Sequence, residues 1–171
     1  MAKEIERKFL LRSIELIPLG IGEKYRQGYF KIENNFSTIR VRIIEKKAFL
    51  TIKSKNIGIS RDEFEYEIPI NDASFMLETM CQKPTIEKTR YFVKNINNLW
   101  EIDIFDGENK GLVVAEIELN NETQEIPMPE WISTEVTGDF KYYNSSLIQY
   151  PFIKWNKKDK LQYFNKTPIT F

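Results

Sequence analysis

The chain has no histidine and a single cysteine among its 171 residues. Without histidine, imidazole acid–base chemistry, His-ligated metals and Ser-His-Asp triads are excluded together. The lone Cys81 excludes an internal disulfide and suits a reducing compartment. Any bound metal would be held by carboxylate oxygens, which favours Mg2+, Mn2+ or Ca2+ over Zn2+. Net charge is also missing, since 25 Lys and Arg balance 25 Asp and Glu. That balance gives no reason to expect nucleic acid or an anionic membrane as a partner. No apolar run approaches a membrane span, and no signal-type apolar stretch opens the sequence. The expected location is the cytoplasm. With 42% apolar and 29% charged residues the chain reads as globular, and its length suits one domain with a sizeable core.

What the sequence does have is alternation. Strands are predicted over 3–11, 25–32, 37–45, 48–55, 62–70, 86–94, 99–106 and 112–119. Turn-like pieces join them at Glu33-Asn34-Asn35, Asn56-Ile57-Gly58, Asn95 to Asn98 and Gly107 to Lys110. One helix is expected over 72–82, capped by Asn71 or Asp72, with Phe75, Met76, Leu77, Met80 and Cys81 on its apolar side. A short second helix is expected after Asn144, with Leu147 and Ile148 facing inward. Pro127, Pro129 and Pro151 break up their segments. The tail from Trp155 is basic and weakly periodic, and reads equally as a docked helix or a frayed end.

Side chains two residues apart share a strand face. That groups Glu4, Glu6 and Lys8; Arg40 and Arg42; Thr51, Lys53 and Lys55; Arg61, Glu63, Glu65 and Glu67; Lys88 and Arg90; Glu101 and Asp103; Glu116 and Glu118. An ordinary wet sheet face mixes signs, because like neighbours repel. Here like charges repeat, and the signs are sorted by strand. The 3–11, 99–106 and 112–119 strands are rich in acids; the 37–45, 48–55 and 86–94 strands are rich in bases. Sorting lets one wall hold cations and another a polyanion. The pattern favours a barrel with a charged interior over the commoner antiparallel sheet with one wet face, and a divalent metal and a polyphosphate are the expected ligands.

Taken in order, the blocks Glu4-Ile5-Glu6-Arg7-Lys8, Gln27-Gly28-Tyr29, Arg40-Val41-Arg42, Thr51-Ile52-Lys53, Arg61 through Glu67, Glu87 to Tyr91, Trp100 to Asp103, Ala115 to Glu118 and Glu135 to Asp139 resemble the CYTH domain, or triphosphate tunnel metalloenzyme, family. The resemblance covers about residues 1–152 and is greatest to short bacterial inorganic triphosphatases. It implies a mainly β, α+β fold: an eight-stranded antiparallel closed tunnel with external helices, whose outward apolar residues face those helices and each other. It places the domain at 1–154 and leaves 155–171 as a tail. It implies Mg2+ or Mn2+ on Glu4, Glu6 and Glu118, with Glu116 and Asp103 completing a second site or positioning water. Lys8, Arg40, Arg42, Lys53, Lys88 and Arg90 would bind phosphate oxygens. Arg61 either does the same or bridges acids in the wall, and Tyr29 either lines the tunnel or packs beneath it. Lys53, Glu116 and Asp103 are the catalytic candidates, while Glu63 and Glu65 would orient the bases. Lys141 stands where relatives often carry Arg, and the bidentate fork is lost there.

The implied activity is metal-dependent hydrolysis of inorganic triphosphate or a nucleoside triphosphate. Adenylyl cyclase activity on ATP and passive polyphosphate binding are the alternatives. A homodimer is left open.

Overall fold

The computed structural model describes residues 2–33, 37–55 and 57–166. The expected turn at Asn34-Asn35, the residue Asn56 and the end of the tail lie outside the described residues. Nine strands form: β1 (Ala2–Leu11), β2 (Glu23–Tyr29), β3 (Ser37–Ile44), β4 (Lys47–Ser54), β5 (Ser60–Ile68), β6 (Ile86–Asn95), β7 (Asn98–Phe105), β8 (Val113–Glu118) and β9 (Ile132–Glu135). All pairings are antiparallel. The order β5-β4-β3-β2-β6-β7-β8-β1 closes on itself through β1–β5, giving an eight-stranded barrel.

β1 has three partners. It meets β5 through Ala2 to Ile5, β8 through Glu6 to Phe9, and β9 at Phe9 and Leu11. Glu6 donates its N–H to Ile59 of the segment before β5, and the Lys8 carbonyl accepts from Val136 after β9. Even-numbered residues of β1 point their backbone groups to one edge, so β5 and β9 share that edge while β8 takes the other. The ninth strand is the element sequence periodicity missed. At four residues it is too short to show alternation, and Pro127 and Pro129 precede it.

Among the described residues three α-helices lie outside the strands: α1 (Ile70–Thr79), α2 (Asn144–Gln149) and α3 (Lys157–Lys166). α1 begins two residues earlier than expected. Pro69 occupies the cap with no side-chain bond, so Asn71 and Asp72 fall inside the helix rather than capping it. Proline suits that place because its fixed φ fits a helix start and its missing N–H costs nothing there. α1 turns Ala73 and Leu77 inward, while Phe75 and Met80 stay exposed. The expected apolar side was thus drawn too wide. α1 lies so close to β2 that a Cβ on Gly28 would stand 2.8 Å from Cys81 Cβ and 2.9 Å from Leu77 Cδ2. Gly28 is fixed by this approach.

Outward-facing apolar residues form a cluster around Phe9, Trp100 and Trp131, whose rings meet edge to face. On β5, however, Phe64 and Tyr66 are 40% and 56% exposed, so that stretch of the outer wall faces water rather than a helix. A further cluster joins Leu10, Ile86, Phe105 and Val114 to Leu147 and Ile148 of α2. These strand residues share parity with Lys8, Lys88, Asp103 and Glu116. The barrel interior therefore changes from charged to apolar toward this end, and α2 closes it. The tail resolves as the docked helix α3. Tyr163 is fully buried, accepts from Val113 N–H at 3.0 Å and donates to the Gly111 carbonyl at 3.3 Å. Among the described residues no helix is long and apolar enough to cross a membrane.

Candidate active site

Strand alternation sends Glu4, Glu6 and Lys8 into the barrel from β1, and every other barrel strand adds side chains to the same space. Among the described residues, the resulting cavity of about 580 Å³ is lined by seven carboxylates and seven cations. The carboxylates are Glu4, Glu6, Glu63, Glu65, Glu101, Glu116 and Glu118; the cations are Lys8, Arg40, Arg42, Lys53, Arg61, Lys88 and Arg90. Eleven of the twelve residues singled out from the sequence as metal, phosphate or catalytic candidates are thus brought together, and Tyr29 lines the cavity with them. Asp103 is the twelfth. It is fully buried behind the wall, where it accepts from Lys88 Nζ and from Arg90 Nε at 2.7 Å and Nη2 at 2.6 Å. Lys141 turns away from the cavity, with its Nζ 3.0 Å from Asp159 on α3.

The charges interlock. Lys53 Nζ donates to Glu4 at 2.7 Å and pairs with Glu63 at 2.9 Å, while Arg61 Nε donates to the other Glu4 oxygen at 2.6 Å. Burial opposes ionisation of Glu4, but Lys53 and Arg61 outweigh it and hold its pKa down at about 2. Glu116 accepts from Lys8 Nζ at 2.5 Å and Arg90 Nη2 at 2.6 Å. Against the cost of burial, those two cations keep it ionised well below the usual carboxylate range. Burial and the neighbouring Arg90 push the Lys88 ammonium down to about 8, against the pull of Asp103. Arg42 donates to Glu65 at 2.9 Å, and Thr51 Oγ1 donates to the same carboxylate at 2.7 Å.

Two carboxylates stand apart from this pairing. Glu6 faces Glu118 across the β1–β8 ladder. The nearest cation to Glu6 is Lys8 Nζ at 3.6 Å, and Glu118 has no ion pair among the described residues. Enclosure in the barrel raises the pKa of Glu6, and the charges of Glu116 and Glu4 raise it further. Glu118 is raised by burial and by Glu4 and Glu63. Weakly compensated carboxylates side by side are an all-oxygen donor set with local negative potential, which fits a hard divalent cation. Among the described residues no three ligating side chains already converge as a cage. On the opposite side of the balance, Arg40 Nε and Arg42 Nε are buried donors with no acceptor. Such groups are costly unless a ligand satisfies them.

Several lining residues were not picked out from the sequence. Alternation places Glu101 with Asp103 on the inner face of β7, but the resemblance gives it no role in the site. Gln27 has the right parity too, and so does Thr51 in the wall, but a neutral residue carries no sorted-charge signal. Thr137, Gly138, Tyr143, Asn144 and Ser145 also line the cavity. They lie in an irregular segment where no period exists to read.

The CYTH domain model matches residues 2–149. The chain belongs to the CYTH domain family. Its curated relatives include an inorganic triphosphatase of Acetivibrio thermocellus, 47% identical over 152 residues that span 89% of this chain and 97% of that protein. Another is an inorganic triphosphatase of Nitrosomonas europaea, 34% identical over 152 residues, covering 84% of this chain and 95% of that one. The solved structure of an inorganic triphosphatase superposes with a TM-score of 0.62 at 31% identity, over 86% of this chain and 95% of its own. A divalent metal is implied for the CYTH barrel, in keeping with the donor set of Glu6 and Glu118. α3 lies beyond the matched residues.

Proposed function

We propose that this CYTH protein hydrolyses a triphosphate, inorganic tripolyphosphate in preference to nucleoside triphosphates, with Mg2+ or Mn2+ and in the cytoplasm. The observation that carries the reading is the convergence of seven cations on one enclosed cavity that leaves two arginine Nε donors unsatisfied. A linear polyanion with several phosphoryl groups is the ligand that fills such a wall. Similarity to inorganic triphosphatases over nearly their whole length supports the same substrate. The lone Cys81 and zero net charge support a reducing compartment and give no case for nucleic acid or membrane partners.

Lys8, Arg40, Arg42, Lys53, Arg61, Lys88 and Arg90 bind the phosphate oxygens. The arginines do so with planar forks and the lysines as point charges. Glu6 and Glu118 would hold the metal, joined by Glu4 if it gives up its bonds to Lys53 and Arg61, with Glu116 beside them. When bound, a divalent cation supplies charge neutralisation and a more acidic water. Water attacks the terminal phosphorus, an O–P bond forms as the bridging P–O bond breaks, and the proton given up by the water passes to the departing pyrophosphate or to solvent, so that phosphate and pyrophosphate leave. Lys53, held between Glu4 and Glu63, neutralises charge on the phosphoryl oxygens. Glu116 and Asp103 fix Lys8, Lys88 and Arg90 in place from behind. Catalysis is then positioning and electrostatic stabilisation with no covalent intermediate.

Phosphate release from tripolyphosphate, ATP and pyrophosphate, with either ion and with a chelator, tests this. The expected order is tripolyphosphate above ATP, with pyrophosphate poorest because it leaves part of the basic wall unpaired. Cyclic AMP as the main product from ATP would overturn the assignment.

A further inference from the structure

Tyr25 lies on the inner face of β2, yet it does not line the cavity, and it is 6% exposed. Cross-strand register puts Lys88 of β6 directly opposite it, with Arg90 opposite Glu23 and Arg42 of β3 opposite Gln27. All three cations reach its ring: Arg90 Cζ is 5.4 Å from the centroid, Lys88 Nζ 5.8 Å and Arg42 Cζ 5.9 Å. Among the described residues no other ring takes more than one cation.

We propose that Tyr25 is a positioning residue, a neutral aromatic platform that gathers Arg42 from one side of β2 and Lys88 and Arg90 from the other into a single phosphate-binding wall. This rests on the triphosphate reading of the cavity. Three cations converging without a polyanion repel one another. A carboxylate at this place would hold them, but it would also repel the incoming phosphates. Asp103, Glu116 and Glu65 offset part of that repulsion from the far side of the cations, and an aliphatic side chain would leave the remainder unopposed. The quadrupole of a ring attracts cations through its face and carries no net charge, so it organises the wall at no cost to anion binding. Its hydroxyl makes only a 3.4 Å contact to Glu23. Burial pushes the phenol up to about 12, so no phenolate forms to disturb the arrangement.

The ring, rather than the hydroxyl or the bulk, is therefore the active part, and three replacements separate these. Tyr25→Phe keeps the ring, Tyr25→Leu removes it, and phenyl rings of increasing fluorination keep the shape while draining the quadrupole. The probe is a non-hydrolysable imido analogue of tripolyphosphate, titrated calorimetrically in chelator, alongside KM and kcat with metal. Tyr25→Phe is expected to bind within about twofold of wild type. The dissociation constant and KM should rise stepwise with fluorination to roughly tenfold, as for the loss of a desolvated cation–π contact, with kcat changing far less. Ring-current shifts of the Lys88 and Arg90 side-chain protons in the free protein should persist in Tyr25→Phe and vanish in Tyr25→Leu. A flat fluorination series with wild-type binding intact overturns the inference and makes Tyr25 a packing residue. Failure of the wild type itself to bind the analogue overturns the triphosphate reading instead.

Discussion

Replacing Glu4 by Gln tests whether the interior ion pairs are as strong as their geometry indicates. Glu4 accepts from Lys53 and Arg61 at 2.7 and 2.6 Å and its side chain is only 14% exposed, so solvent screens the pairs little. Its pKa falls from 4.5 to about 2 on folding. At about 1.4 kcal/mol per pH unit that span is worth about 3 kcal/mol of stability. The sign follows from the direction. A depressed carboxylate contributes fully above its unfolded value near 4.5, and the contribution is lost as pH falls toward the folded value near 2. In chelator at pH 7, Glu4→Gln should therefore unfold about 3 kcal/mol more easily than wild type in urea. The gap should close as pH falls from about 5 to about 2, because wild type loses what the variant never had. Denaturant titrations of both proteins at several pH values read this directly. A gap that stays constant down to pH 2 would falsify the reasoning, since ionised Glu4 would then not be its source.

Glu6 carries the opposite sign. Its folded pKa is raised, so the ionised group costs stability at neutral pH, and Glu6→Gln should leave the metal-free protein at least as stable as wild type while lowering turnover by about a hundredfold or more. A melt paired with a phosphate-release assay checks both halves, and full turnover in Glu6→Gln or Glu118→Gln would remove them from the metal site. A non-hydrolysable triphosphate at a hundredfold excess over its dissociation constant should stabilise the wild type by about 2.7 kcal/mol. Arg40→Ala and Arg42→Ala should shrink that increment without unfolding the protein, as scanning calorimetry would show. Tyr163→Ala should cost about 3 to 5 kcal/mol in a chemical melt, because a fully enclosed ring leaves a cavity. A cost below about 0.5 kcal/mol would mean that α3 is not part of the core.

The barrel and its charged interior were legible in the sequence because both rest on a period of two. One residue of slip would have put Arg40 and Arg42 in water and Val41 inside, so the alternation fixes which face is which. Closure itself was not written locally. It rests on the resemblance and on β1 meeting β5, β8 and β9, which are pairings over long sequence separations. The role of Asp103 was blurred for a related reason. Parity gives its face but not its depth, and only packing tells a residue behind a wall from one upon it. Phe75 and Met80 show the same limit on a helix, where apolar character marks candidates for burial but the neighbouring strands decide which are covered.

The three partners of β1 bear on how the molecule is assembled. β2 to β5 and β6 to β8 are hairpin neighbours that pair as soon as each is available, and the β2–β6 ladder joins the two groups. β1 precedes them all, yet its ladder to β8 links Glu6 with Glu118. Loop closure over such a separation is entropically late and slow. β1 can reach β5 over a much shorter separation, so the β1–β8 seam is the one expected to close last. Until that seam closes, β1 and β8 present open edges, and the carboxylates of the two strands are strangers to one another. A partly folded chain is accordingly a curled sheet prone to pairing with its own kind, and the chemistry arrives in one step with the ring.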